Sequence, residues 1–159
     1  MSEPISRPSF LTILCFLTFM SSILGLYTQS ERLWSPEVGA DQTLQVFDVL
    51  HEKLKASKTE VDKKTVEILN EASSQVTTQT TSVAAIIMLI FESISLFAAY
   101  LMWNLQKKGY YLFLGGIAVA FLAPLLLIGG WFGLITAMSG VFVSFFMAIF
   151  YAVNLKYMD

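Results

Sequence analysis

Residues 109–155 read GYYLFLGGIAVAFLAPLLLIGGWFGLITAMSGVFVSFFMAIFYAVNL, a run of 47 without one Asp, Glu, Lys, Arg or His. A helix needs about 20 apolar residues to cross the hydrocarbon core of a bilayer, so this run holds two spans and a short turn. Working outward, residues 9–28 and 83–105 are also apolar and also of spanning length. The chain of 159 residues is 14% charged, against roughly 25% in soluble domains, too little to cover a wet surface. These features predict an all-α membrane protein with four transmembrane helices and a helical extramembrane segment between the first two.

The expected layout places an N-terminus at 1–8 and spans at 9–28, 83–105, 110–128 and 134–154. A wet segment fills 29–82, a loop 106–109, a turn 129–133 and a C-terminus 155–159. The first run is longer than the 7–15 residues of a signal-peptide core and no A-x-A-like site follows it, so it is expected to be an uncleaved helix. Lys and Arg in short loops set orientation. Arg7, Lys107, Lys108 and Lys156 fall on one side of a four-span chain, which predicts cytoplasmic termini and an external wet segment. The wet segment holds six Lys/Arg and nine Asp/Glu, compatible with export.

Within that segment, Ser35-Pro36-Glu37-Val38-Gly39 reads as a loop and Asp41 as a helix N-cap. Leu44, Phe47, Leu50 and Leu54 then recur at helical spacing, and Val61, Ile68, Leu69, Ala72 and Val76 resume it. Ala56-Ser57-Lys58-Thr59 breaks the stripe, and Thr59 with Asp62 resembles an N-cap followed by an N3 acid. Two helices are expected, about 42–56 and 60–80, the second leading into span 2. The Thr-rich stretch 76–82 reads as an interfacial linker.

Thr136, Gly140, Ser144, Ala148 and Ala152 recur every four residues in span 4, and Gly116, Ala120 and Pro124 do so in span 3. Such ridges let helices approach closely in lipid, where no hydrophobic force joins them. Gly116, Ala120, Gly140, Ser144 and Ala148 are therefore the candidate packing residues, between spans 3 and 4 or between copies. Tyr27, Trp34, Trp103, Tyr110, Tyr111, Trp131, Tyr151 and Tyr157 fall near helix ends, as an aromatic belt at headgroup depth does.

One residue breaks the apolar pattern of span 2. Glu92 sits in IIMLIFESISLF, residues 86–97, about mid-membrane. An ionised carboxylate there costs at least ~2.5–3.5 kcal/mol, and no Lys, Arg or His stands in any expected span to pair with it. Removal from water favours the neutral form of a carboxyl. Thr18, Ser21 and Ser22 of span 1, and Ser139 and Ser144 of span 4, lie at similar depth and are its candidate hydrogen-bond partners. Three roles follow: a neutral clasp between helices, a proton- or cation-binding carboxyl, or half of an ion pair completed by a partner subunit.

Catalytic and metal chemistry are poorly supplied. His51, the only histidine, stands between Leu50 and Glu52 on the wet segment and reads as a solvated position. H-E-x-x-H, G-x-S-x-G and phosphate-loop patterns are missing. Cys15 is alone, so no internal disulfide can form, and no basic cluster suits nucleic acid. Neither an enzyme nor a resident cofactor or metal is expected.

The opening stretch RPSFLTILC, Arg7 to Cys15, resembles that of small bacterial four-helix membrane proteins without an assigned activity. The resemblance implies a bacterial inner-membrane setting and carries over no functional residue. The expected function is an accessory or assembly subunit of a membrane complex, whose partners are the bilayer and another membrane protein or a second copy. The alternative is a small oligomeric transporter or channel component using Glu92.

Overall fold

A computed structural model describes residues 8–56 and 63–159. Among them all regular structure is helical: α1 (Ser9–Trp34), α2 (Pro36–Ala56), α3 (Lys63–Ser74), α4 (Thr78–Trp103), α5 (Lys107–Leu127) and α6 (Gly130–Asn154), closed by a 3-10 turn at Leu155–Tyr157. Four of these, α1, α4, α5 and α6, are long and apolar enough to cross a membrane. The chain is an all-α, multi-pass membrane protein, with α2 and α3 as the helical segment between its first two spans.

The four long helices form an open arc. α1 packs along α4, α4 along α5 and α5 along α6, whereas α6 returns to α1 over a much shorter stretch. That return is marked by Phe10 edge-on to Phe150, with ring centroids 6.1 Å apart, and by a 2.7 Å hydrogen bond between Thr18 and Tyr151. A core of Leu11, Leu14, Cys15, Ala98, Met102, Phe113, Ala148 and Tyr151 closes this end. The same end holds the α4–α5 loop, tied to the last residue by Asp159 N–H to Leu105 C=O at 2.7 Å and Lys107 N–H to Asp159 C=O at 2.8 Å. Lys107, Lys108 and Lys156 therefore share one end of the molecule, while Arg7 lies outside the described residues.

At the opposite end α2 and α3 fold over α4 and α6. Ala40, Phe47, Ala72 and Val76 bury against Phe132 there. Gln75, in the turn after α3, reaches the N-terminus of α6, where its side-chain oxygen accepts the Phe132 N–H at 3.0 Å. The first turn of a helix has N–H groups with no intrahelical partner, and Gly130, where an added Cβ would collide with the Gln75 amide, leaves room for the glutamine to supply one.

The wet segment departs from expectation in three places. The stretch Ser35 to Gly39 is helical from Pro36 onward, with a bend at Ser35 alone. Proline is pre-organised for the first helical position, where its missing N–H costs nothing, so it starts α2 rather than prolonging a loop. Asp41 consequently lies inside α2 and caps nothing. The second helix ends at Ser74 instead of running into span 2. The Thr-rich stretch is the start of α4: Thr77 accepts the Thr80 N–H at 3.1 Å and Thr80 accepts the Thr77 N–H at 2.9 Å. This reciprocal capping box satisfies two orphan donors, which threonines do better than a linker requires. The polar break at 57–59, the Thr59–Asp62 cap and Val61 lie outside the described residues.

The small-residue ridge of α6 also turns elsewhere. A Cβ on Gly140 would meet Met88 of α4, not α5. The close approach of α6 to α5 is made at Gly133, where an added Cβ would lie 2.7 Å from the Pro124 carbonyl oxygen. On α5, Gly116 faces α4 through Ile94 and Phe91, and Ala120 is buried with Met88 and Phe91. Ala148 is buried beside Tyr151 in the end core.

Candidate functional site

Because α6 leaves α1 after the Thr18–Tyr151 contact, a gap opens between them with α4 as its floor. The result is a cleft of about 500 Å³. Glu92, half-buried on α4, lines it together with Thr18, Ser21 and Ser22 of α1 and Ser139 and Ser144 of α6. The structure thus brings all five candidate hydroxyls and the carboxyl around one space.

They are not equivalent. Ser22, 1% exposed, stands beside the Glu92 carboxyl, where its hydroxyl can donate to it. Gly25, the next residue along that face of α1, makes the room: a Cβ there would stand 2.6 Å from the carboxyl carbon and Oε1. Thr18 is occupied, since its hydroxyl donates to the Leu14 carbonyl at 3.0 Å. Its single proton being used there, the Thr18 oxygen accepts from the Tyr151 hydroxyl. Ser139 donates to the Thr136 carbonyl at 3.2 Å. Ser21 and Ser139 are exposed on the two rims of the gap, Leu17 and Val143 beside them.

Tyr151 is not an aromatic-belt residue. It is fully buried, packed edge-on against Phe113 at 5.5 Å, and its hydroxyl lies beside the Cys15 thiol as well as Thr18. A buried tyrosine hydroxyl needs a partner, and Thr18 supplies it, so the pair latches α1 to α6 and forms the closed end of the cleft. His51 also differs from expectation: it is half-buried on α2, and its Nε2 is sheltered from solvent with no partner among the described residues.

Two site residues escaped the sequence reading. Ser95, one turn beyond Glu92, is 2% exposed, lines the cleft, and its hydroxyl has no partner among the described residues. Its signal was the three-residue spacing from Glu92, which puts both on one helix face. Gln29, on the face of α1 that carries Ser22, lines the cleft and also a larger space of about 720 Å³ under α2. Met88, Ser139 and Gly140 belong to both spaces, so the cleft continues toward the α2–α3 end. Arg32 and Gln42 line that outer space.

Chemically, the arrangement can hold a carboxyl beside one buried hydroxyl, with lone pairs left to face the gap. Among the described residues the cleft lining contains no cation and no second acid, so none of them completes an ion pair or a proton relay there. No protein-family model, curated protein or solved structure matches the chain.

Proposed function

We propose that the protein is an accessory or assembly subunit of a membrane complex, resident in a bacterial inner membrane with both termini in the cytoplasm. The observation that carries this reading is the unclosed arc. A carboxyl and several hydroxyls face the gap between α1 and α6 at mid-membrane depth, where lipid offers polar groups no partner. A second chain packed over the gap would provide one. The exposed apolar residues Val38, Val46, Val49 and Leu50 of α2 give the same reading a contact surface outside the membrane.

A photo-crosslinking amino acid at Val143, 67% exposed on the rim of the gap, tests the role in native membranes. It should form an adduct with a different chain. The same group at Leu126, 81% exposed on α5, should form none. Adducts with lipid alone at both positions would dismiss the role.

Orientation has its own test. A cysteine at Asp48, exposed on α2, should react with an impermeant thiol reagent added outside intact cells. A cysteine at Gln106, exposed in the α4–α5 loop, should react only after the membrane is opened. The opposite pattern would invert the topology drawn from Lys107, Lys108 and Lys156.

The second reading, a small transporter or channel component, is favoured by the continuity of the cleft with the space under α2. That continuity offers a route from the α2–α3 end to Glu92, along which Gln29, Gln42, Thr136 and Ser139 supply polar groups. On this reading Glu92 binds a proton or cation, and Glu92→Gln would abolish transport while leaving assembly intact.

A further inference from the structure

We infer that the gap between α1 and α6 seats a transmembrane helix of another chain that carries one lysine or arginine at the depth of Glu92. This rests on the accessory-subunit reading and names the chemistry of the partner.

Three observations meet here. The first is charge: Glu92 faces the cleft, and no cation among the described residues lines it. A single basic residue opposite would offset the cost of ionising a carboxyl in hydrocarbon. The second is unused hydrogen-bonding capacity. A carboxylate offers about four acceptor sites, and the Ser22 hydroxyl beside it can fill only one. The Ser95 hydroxyl, 2% exposed, lacks a partner among the described residues. An ammonium group carries three donors and a guanidinium five, so either could engage several acceptor sites of the carboxylate, with the Ser95 hydroxyl sealed one turn along α4.

The third observation is the direction of the opening. Leu17 and Val143 are 51% and 67% exposed, and Ser21 and Ser139 are also exposed, all on the edges of α1 and α6 that flank the gap. The cleft therefore opens sideways, toward the bilayer. Only an element with its backbone hydrogen bonds satisfied internally can lie there, which in this setting is a helix. From Thr18 to Gln29 the gap extends about 17 Å along α1 at 1.5 Å per residue, or three helical turns. That length accommodates one polar anchor between apolar flanks, with the Thr18–Tyr151 latch at one end and α2 at the other.

The experiment uses the full chain in lipid vesicles and three synthetic spanning peptides, identical except for lysine, leucine or glutamate at the centre. Association is read by energy transfer between labelled protein and labelled peptide. The lysine peptide should associate about tenfold more tightly than the leucine peptide, the factor that 1.4 kcal/mol represents. Glu92→Gln should remove that preference, and Glu92→Lys should transfer it to the glutamate peptide. Equal association of the lysine and leucine peptides with the unmodified chain would overturn the inference. So would a lysine preference that survives Glu92→Gln, a variant that keeps the Ser22 contact and tests the charge even if Glu92→Lys fails to fold. Failure here alongside a Val143 cross-link to another chain removes the basic partner and leaves the accessory role. Failure of the cross-link removes the role itself.

Discussion

Gly109→Val should unseat the α4–α5 hairpin, while Gly115→Val leaves it intact. A Cβ at Gly109 would stand 2.6 Å from the Ala98 carbonyl oxygen, 2.7 Å from the Met102 nitrogen and 2.8 Å from the Leu101 Cβ. The first two are backbone atoms of α4, which cannot rotate away as a side chain would. Adding bulk to a packed interior costs about 1–3 kcal/mol even where neighbours can shift, and here the helices themselves must separate. A loss of that size is a large share of the ~5–15 kcal/mol that holds a typical fold. Gly115 stands in the same helix with nothing within 4 Å of its would-be Cβ, so valine there meets only surroundings. Thermal unfolding in one detergent should show a clear drop for the first variant and none for the second. Equal melting of the two would mean that α4 and α5 do not approach as closely as Gly109 implies.

Gly109 also shows what a sequence conceals. It follows Lys107-Lys108 and falls within the loop expected at 106–109, because charge marks a membrane boundary more visibly than it marks a helix start. In the structure α5 begins at Lys107, and the glycine is buried in its first turn. The four spans themselves were legible, since an apolar run of spanning length has few other solutions in lipid. Their ends were not. α1 continues to Trp34 and α4 begins at Thr78, because helix termini are set by capping groups such as Thr77 and Thr80, whereas hydropathy reports only the solvent.

The cleft was partly legible for a related reason. In an up-and-down chain, depth along one span converts to proximity with residues of equal depth on another. A carboxyl at Glu92 could therefore be matched to hydroxyls on spans 1 and 4 without knowing the packing. Depth does not reveal which hydroxyl is free. Thr18 matches in depth but is engaged by Leu14 and Tyr151, and Tyr151, near the end of its span, has the sequence position of an interfacial residue. Nor could depth show that the arc stays open between α1 and α6. Gly25, the residue against which the Glu92 side chain rests, carries no side-chain signal at all.

The central claim is that Glu92 serves assembly with another chain, and the native complex in membranes carrying Glu92→Gln and Glu92→Leu tests it most directly. Glutamine keeps the size of the side chain and can accept from Ser22, but it cannot carry charge. Leucine loses the Ser22 contact as well, a polar helix contact worth ~1–2 kcal/mol in model helices and often less in proteins. The fold should therefore tolerate Gln and weaken partly with Leu, read as detergent melting of the purified chain. The amount of the chain recovered in its heteromeric complex, after mild extraction, should fall about tenfold for both variants. A Gln variant that stays in the complex at the unmodified level would contradict the claim, leaving Glu92 as a clasp inside one chain or as the carboxyl of the transport reading.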